Sequence, residues 1–286
     1  MSKKILVLGS TGLIGHQVFN YLNNFREYEL FNLSRNKLNS NTFLLNVREE
    51  KNFSTFIEKL RPNIIINCIG ALIDESHNNP ENAIYLNAFF PHALLSLSDK
   101  INAKLIHMST DCVFSGLKTT PYIETNLKDG IDVYAKSKGL GEIINDRHLT
   151  IRTSVVGPEI KFNGTELFHW FMTQSNSING YKQSIWSGVT TIELAKAVKW
   201  AIDKDINGLY HLTNNQSINK NDLLKLFKKY TKKDIEINEI DGRIVDKSFI
   251  DTRAEINYKI PSYEKMIKDM VVFIKKNKSL YKLYNL

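Results

Sequence analysis

Lys4-Ile5-Leu6-Val7-Leu8-Gly9-Ser10-Thr11-Gly12-Leu13-Ile14-Gly15 lies at the start of the chain, and its reading decides the fold. Lys4 to Leu8 is a short, almost wholly apolar run, the pattern of a strand covered on both faces. From Leu13 to Leu22 the apolar residues fall at 13, 14, 18, 19 and 22, which is helical spacing. The three glycines therefore mark a strand-to-helix turn. Gly9 permits the tight turn, Gly12 lets a pyrophosphate approach the backbone, and Gly15 lets the helix pack close to the strand. The helix start offers free N–H groups and the positive end of its dipole to phosphate. The turn is thus expected to hold a dinucleotide through Gly9, Ser10, Thr11, Gly12, Leu13, Ile14 and Gly15.

Strands are expected near 4–8, 28–33, 43–45, 63–67, 103–108 and 148–152, and helices near 13–23, 49–60, 80–98 and 134–146. This alternation predicts a Rossmann-type α/β fold with a doubly wound parallel sheet. The expected division is a dinucleotide-binding domain over 1–156 and a smaller C-terminal substrate-binding lobe over 157–286, with segments at about 184–212 returning to the main sheet. Further helices are expected over 166–172, 192–202, 221–230 and 259–280, and a strand over 208–212. The second strand leads to Ser34-Arg35, where a site selective for NAD usually places an acidic residue for the ribose 2′-hydroxyl. A guanidinium pairs well with a 2′-phosphate, so NADPH is expected, with NADH as the alternative.

Ser109-Thr110-Asp111 follows the strand Lys104–Met108, at the sheet edge where open parallel sheets bind ligands. Tyr134 and Lys138 stand four apart, on one helix face. A phenol is a poor acid or base at its ordinary pKa of roughly 10. A neighbouring ammonium is expected to lower that value, and Thr110 to bond the substrate carbonyl oxygen where negative charge develops. Hydride and proton transfer at a carbonyl is the chemistry these groups predict.

The G-x-x-G-x-x-G spacing resembles that of the extended short-chain dehydrogenase/reductases. Met108–Gly116 (MSTDCVFSG) resembles the S-T-D-Y-V-F-x-G segment of the dTDP-4-dehydrorhamnose reductases. Asp132–Lys138 (DVYAKSK) resembles their N-V-Y-G-K-T-K, Leu60–Asn67 their L-R-P-D-V-I-V-N, and Ile151–Ser154 their I-R-T-S. The resemblance covers residues 3–156 well and continues more weakly to the end. It implies a metal-independent 4-ketoreductase of a nucleotide-linked 6-deoxy-4-keto sugar, with Thr110, Tyr134 and Lys138 catalytic. The cofactor set is completed by Ser34, Arg35, Asn46, Val47, Cys68, Ile69, Gly70 and Asn87, with Tyr134 and Lys138. Thr110, Asp111, Cys112, Tyr181, Lys182, Trp186 and Arg253 are expected to contact substrate, Lys182 and Arg253 through its diphosphate. Tyr181, Lys182 and Trp186 equally fit a loop packed in the lobe.

The chain also departs from that family. Thr153-Ser154-Val155-Val156-Gly157 stands where T-S-W-V-Y is common, so the tryptophan that would pack on the sugar is missing. Cys112 replaces a tyrosine, and Gln17 stands where an acidic residue of a dimer metal site belongs. Residues 251–267 resemble a subgroup of capsule and lipopolysaccharide pathways, which points to surface-polysaccharide synthesis and away from rhamnose. Related 4,6-dehydratases carry Asp-Glu after the threonine. Asp111-Cys112 argues against that chemistry. An NAD-dependent epimerase and a non-catalytic, cofactor-binding regulatory subunit stay open as alternatives.

The formal charge of +8 comes from lysines spread along the chain and crowded in the tail, without a nucleic-acid-binding signature. No nucleic-acid partner is expected. No apolar run approaches the roughly 18 residues of a membrane span, and no signal segment is expected before the first strand. Two cysteines make no disulfide framework, Cys68 reads as packing, and the scattered histidines predict no metal site. A cytoplasmic enzyme is expected, and a homodimer by resemblance alone.

Overall fold

The computed structural model describes residues 2–286. Six strands are β1 (Lys3–Leu8), β2 (Tyr28–Ser34), β3 (Thr42–Leu44), β4 (Ile64–Asn67), β5 (Lys104–Thr110) and β6 (Leu149–Thr153). The main sheet is completed by Gly208–His211 and is parallel throughout, in the order Gly208–His211, β6, β5, β4, β1, β2, β3. The strand order reverses between β1 and β4, which opens a crevice beyond their C-terminal ends. β4 is buried along its whole length and β1 along most of it, because helices cover both faces.

The helices are α1 (Leu13–Leu22), α2 (Glu50–Leu60), α3 (Ile73–Asn78), α4 (Pro80–Ala83), α5 (Phe90–Lys100), α6 (Val133–Leu140), α7 (Leu167–Thr173), α8 (Thr191–Asp203), α9 (Lys220–Thr231) and α10 (Tyr263–Lys276). One apolar core, with Ile5, Val7, Val18 and Leu22, runs beneath α1 and α8 into the lobe. A second, with Leu6, Leu8, Phe53 and Leu94, lies under α2 and α5 on the other face.

Two expected helices are revised. The segment expected as one helix over 80–98 is α4, a π-helical turn over Ile84–Phe89, and α5. Pro91 lacks an N–H, and its ring crowds the carbonyl four residues earlier, that of Asn87, which forces the wider turn. The helix expected over 134–146 ends at Leu140. Gly141 caps it against the Asn87 carbonyl, which a Cβ there would overlap, and the chain then turns so that Glu142 points inward.

Residues 184–212 are also only partly as expected. Gly208–His211 joins the sheet and α8 packs on α1. Ser184–Trp186 instead pairs inside the lobe with Ile218–Asn219 and Val245–Asp246, while Val189–Thr190 pairs with Val155–Val156. Ser177–Tyr181 pairs with Glu236–Ile240 in a further small sheet.

Candidate active site

Gly9 has φ +75, a left-handed conformation that follows directly from the turn off β1. A Cβ on Gly15 would overlap the Gly9 carbonyl, so the glycine there is what lets α1 start so close to β1. The first turn of α1 has no side-chain cap and no acidic residue. Its N–H groups are unsatisfied in the way an anion would satisfy them. A cleft of about 200 Å³ opens beside it, lined by Gly9, Thr11, Gly12, Ser34, Arg35, Asn46, Val47, Cys68, Ile69 and Gly70. These donors fit a dinucleotide phosphate chain.

Two of the expected cofactor residues face inward instead. The Ser10 hydroxyl donates to Asn32 Oδ1 at 2.9 Å within the sheet. Asn87 is fully buried: its Oδ1 accepts from the Ala71 N–H (2.9 Å), and its Nδ2 donates to the Ala71 carbonyl (3.1 Å) and the Ser137 hydroxyl (3.2 Å). It ties the turn after β4 to α6, so it positions the site without lining it. The cleft also contains residues not anticipated: Asn36, Arg48, Asn82 and Lys161. Arg48 is held by Glu81 (3.2 Å) and lies over the Tyr85 ring. No periodicity marks Lys161, which enters from a loop of the lobe.

α6 begins at the Asp132 cap, whose carboxylate accepts from the Ala135 N–H at 2.8 Å. This presents Tyr134 and Lys138 toward the end of β5. The Tyr134 phenol stands beside the Thr110 hydroxyl. Thr110 Oγ1 accepts from the Cys112 N–H and donates to Asp111 Oδ1, both at 3.1 Å. Lys138 Nζ donates to the Met108 carbonyl at 2.6 Å. Burial brings the Lys138 pKa down to about 8, against the opposing pull of Glu142.

The expected activation of Tyr134 is not found. Burial, then the neighbouring Cys112, pushes its pKa up. The Lys138 ammonium gives one N–H to a carbonyl, and the phenol keeps its proton. Cys112 is no nucleophile, for burial and Asp111 push its thiol up to about 12.

On the lobe side, Lys247 packs across Gly116 and reaches Cys112, and the Lys220 ammonium stands 5.5 Å from the Trp186 ring centre. Glu166 is raised to about 7 by burial and by Glu159. Charges on Lys220 and Glu166 are felt around Asp111. None of these three residues was read from the sequence. Trp186 itself is buried against Tyr263 (ring centroids 5.7 Å). Tyr181 covers Gly242 and Lys182 pairs with Asp241 at 3.3 Å, which favours the packing reading of that segment. Arg253 lies elsewhere: it donates to the Asn207 and Leu209 carbonyls at 2.5 and 3.2 Å, at the N-terminal end of the edge strand, remote from the ligand edge.

Behind the triplet runs a buried charge relay. Ser109 Oγ donates to Glu142 Oε1 (2.7 Å), which Arg152 grips with Nε (2.8 Å) while Nη2 meets Oε2 (2.7 Å). Arg152 Nη1 donates to His211 Nε2 at 2.7 Å, so the ring proton is on Nδ1, donated to the Ile250 carbonyl at 2.9 Å.

The sheet order, the glycine turn and the Tyr-Lys step define a Rossmann-type protein of the short-chain dehydrogenase/reductase class. The chain belongs to the RmlD substrate-binding-domain family, whose model matches residues 3–244. It is 30% identical over 218 residues to the dTDP-4-dehydrorhamnose reductase of Salmonella typhimurium, covering 73% of this chain and 71% of that one. It is 26% identical to methionine adenosyltransferase 2 subunit beta of Xenopus laevis, covering 77% and 69%. The solved dTDP-4-dehydrorhamnose reductase of Bacillus anthracis in complex with NADP superposes with a TM-score of 0.82, at 22% identity, over 95% of this chain and 99% of that chain. That likeness establishes the fold.

Proposed function

We propose that this chain is a cytoplasmic, NADPH-dependent reductase of the 4-keto group of a nucleoside-diphosphate 6-deoxy-4-keto sugar, in surface-polysaccharide precursor synthesis. The observation that carries it is the meeting of Thr110, Tyr134 and Lys138 beside an uncapped glycine turn. We assign cofactor binding to residues 1–156 and substrate binding largely to 157–286. The relatives named as reductases support the reaction class, and Arg35 at the end of β2 supports the 2′-phosphate.

When bound, NADPH supplies the hydride to C4. Thr110 orients the carbonyl and bonds the oxygen as it gains charge. Tyr134, whose phenol stays protonated, gives its proton to that oxygen, a contribution on the order of 10²–10⁴-fold. Lys138 spends one N–H on Met108 and keeps two donors for the ribose hydroxyls and the field at the tyrosine. Lys220 and Lys247 give the substrate side a positive character suited to a diphosphate.

A second reading, a cofactor-binding regulatory subunit, is favoured by the likeness to methionine adenosyltransferase 2 subunit beta. The test is NADPH absorbance on mixing with UDP-, dTDP-, GDP- and CDP-linked 4-keto-6-deoxy sugars. Oxidation with one of them is expected. NADPH binding without oxidation across the panel would overturn the reductase reading in favour of the subunit or an epimerase.

A further inference from the structure

We propose that Tyr281, in the C-terminal tail, is a positioning residue for the cofactor turn, acting through His16. The proposal rests on the cofactor reading above. Tyr281 lies outside the stretch matched by the family model, 265 residues from the histidine it meets.

The Gly12 carbonyl accepts twice from the same residue: from the His16 backbone N–H at 3.1 Å and from His16 Nδ1 at 2.8 Å. A peptide is planar, so a carbonyl held along the helix axis aims the Leu13 N–H of the same unit the opposite way, out of the helix start and toward the phosphate cleft. A carbonyl can only accept, so the His16 proton is on Nδ1 and Nε2 carries the lone pair. The Tyr281 hydroxyl is 3.0 Å from that Nε2 and donates to it, selecting the tautomer that holds Gly12. Gln17 closes the chain. Its Oε1 stands 2.9 Å from the same hydroxyl, placed to take that proton, while its Nε2 is buried with no partner among the described residues; exchanging the amide's two ends relieves both. Turned to give an N–H to the tyrosine oxygen, the amide leaves the hydroxyl proton for His16.

The site is built for this. His16 and Gln17 are fully buried and Tyr281 nearly so, which excludes water as a substitute partner. Burial brings His16 down to about 4, so the neutral ring persists across the working range. The tail holds the opposite wall too: the Tyr284 hydroxyl accepts from the Glu159 N–H (2.8 Å) and meets His169 Nδ1 (2.9 Å), anchoring the loop that carries Lys161 into the cleft.

The experiment is a fluorescence titration with NADPH on the full chain, with melting temperature measured alongside. Tyr281→Phe is expected to raise the Kd about five-fold, the loss of one hydrogen bond, and to raise the KM for NADPH while that for the sugar stays. His16→Ala is expected to do the same. His16→Asn, whose amide can still donate to Gly12, is expected to recover affinity, and adding Tyr281→Phe to it to change the Kd no further. A Tyr281→Phe chain that melts lower and binds NADPH as the wild type does would overturn the positioning role alone. A wild-type chain that does not bind NADPH would overturn the cofactor reading and this inference with it.

Discussion

Replacing Tyr134 by Phe removes one oxygen from a buried cluster and leaves the glycine turn untouched. Turnover is expected to fall by about 10²–10⁴-fold with the NADPH Kd unchanged. Single-turnover absorbance and a binding titration check the two halves. Lys138 gives the pH dependence. Its ammonium is present below about pH 8 and lost as pH rises through that value, so kcat/KM is expected to decline above about pH 8 while the raised Tyr134 stays protonated. The stability sign is opposite. Between about 8 and the ordinary 10.5 the unfolded chain holds the lysine proton that the folded chain has released, so this group adds stability as pH rises through that window. Thr110, Tyr134 and Lys138 could be singled out in the sequence because each sits at a fixed offset from a strand end or along one helix face. Tyr134's protonation could not be read there, because it depends on burial and on the neighbouring Cys112.

The start of α6 rests on Asp132. Asp132→Ala is expected to cost about 1 kcal/mol and to lower kcat more than it raises either KM, because the same turn carries Tyr134. Denaturant melts and steady-state kinetics test this. The strands of the main sheet and their parallel sense were readable from apolar runs and their alternation with helices. The π turn and the early end of α6 were not, because both arise where Pro91, the Asn87 carbonyl and Gly141 meet. That meeting joins segments distant in sequence, and local periodicity is blind to it. Asn87 was found in the right neighbourhood but with the wrong partner, for its amide serves the protein and not the ligand.

Across the whole molecule, the relay from Ser109 through Glu142, Arg152 and His211 to Ile250 joins α6, the sheet and the returning C-terminal segment. Arg152→Met strands a buried carboxylate with Ser109 and Lys128, and is expected to cost about 3–5 kcal/mol in a chemical melt. An equal stability would show the pair to be dispensable. Such pairs, like Tyr281 with His16, join positions that no window of sequence contains together.

Arg253 was expected at a phosphate and stands instead along the last strand of the sheet. Asn207 and Leu209 direct their carbonyls away from β6, and one guanidinium takes both. Unpaired carbonyls along a strand edge are a template for another chain, and with Arg253 on these two the edge is expected to resist such pairing. Arg253→Ala is expected to leave NADPH affinity intact and to raise light scattering on storage and during refolding. A variant that stays monodisperse would overturn that expectation. Capped in this way, the edge that ends the fold is also expected to keep one molecule from continuing into the next.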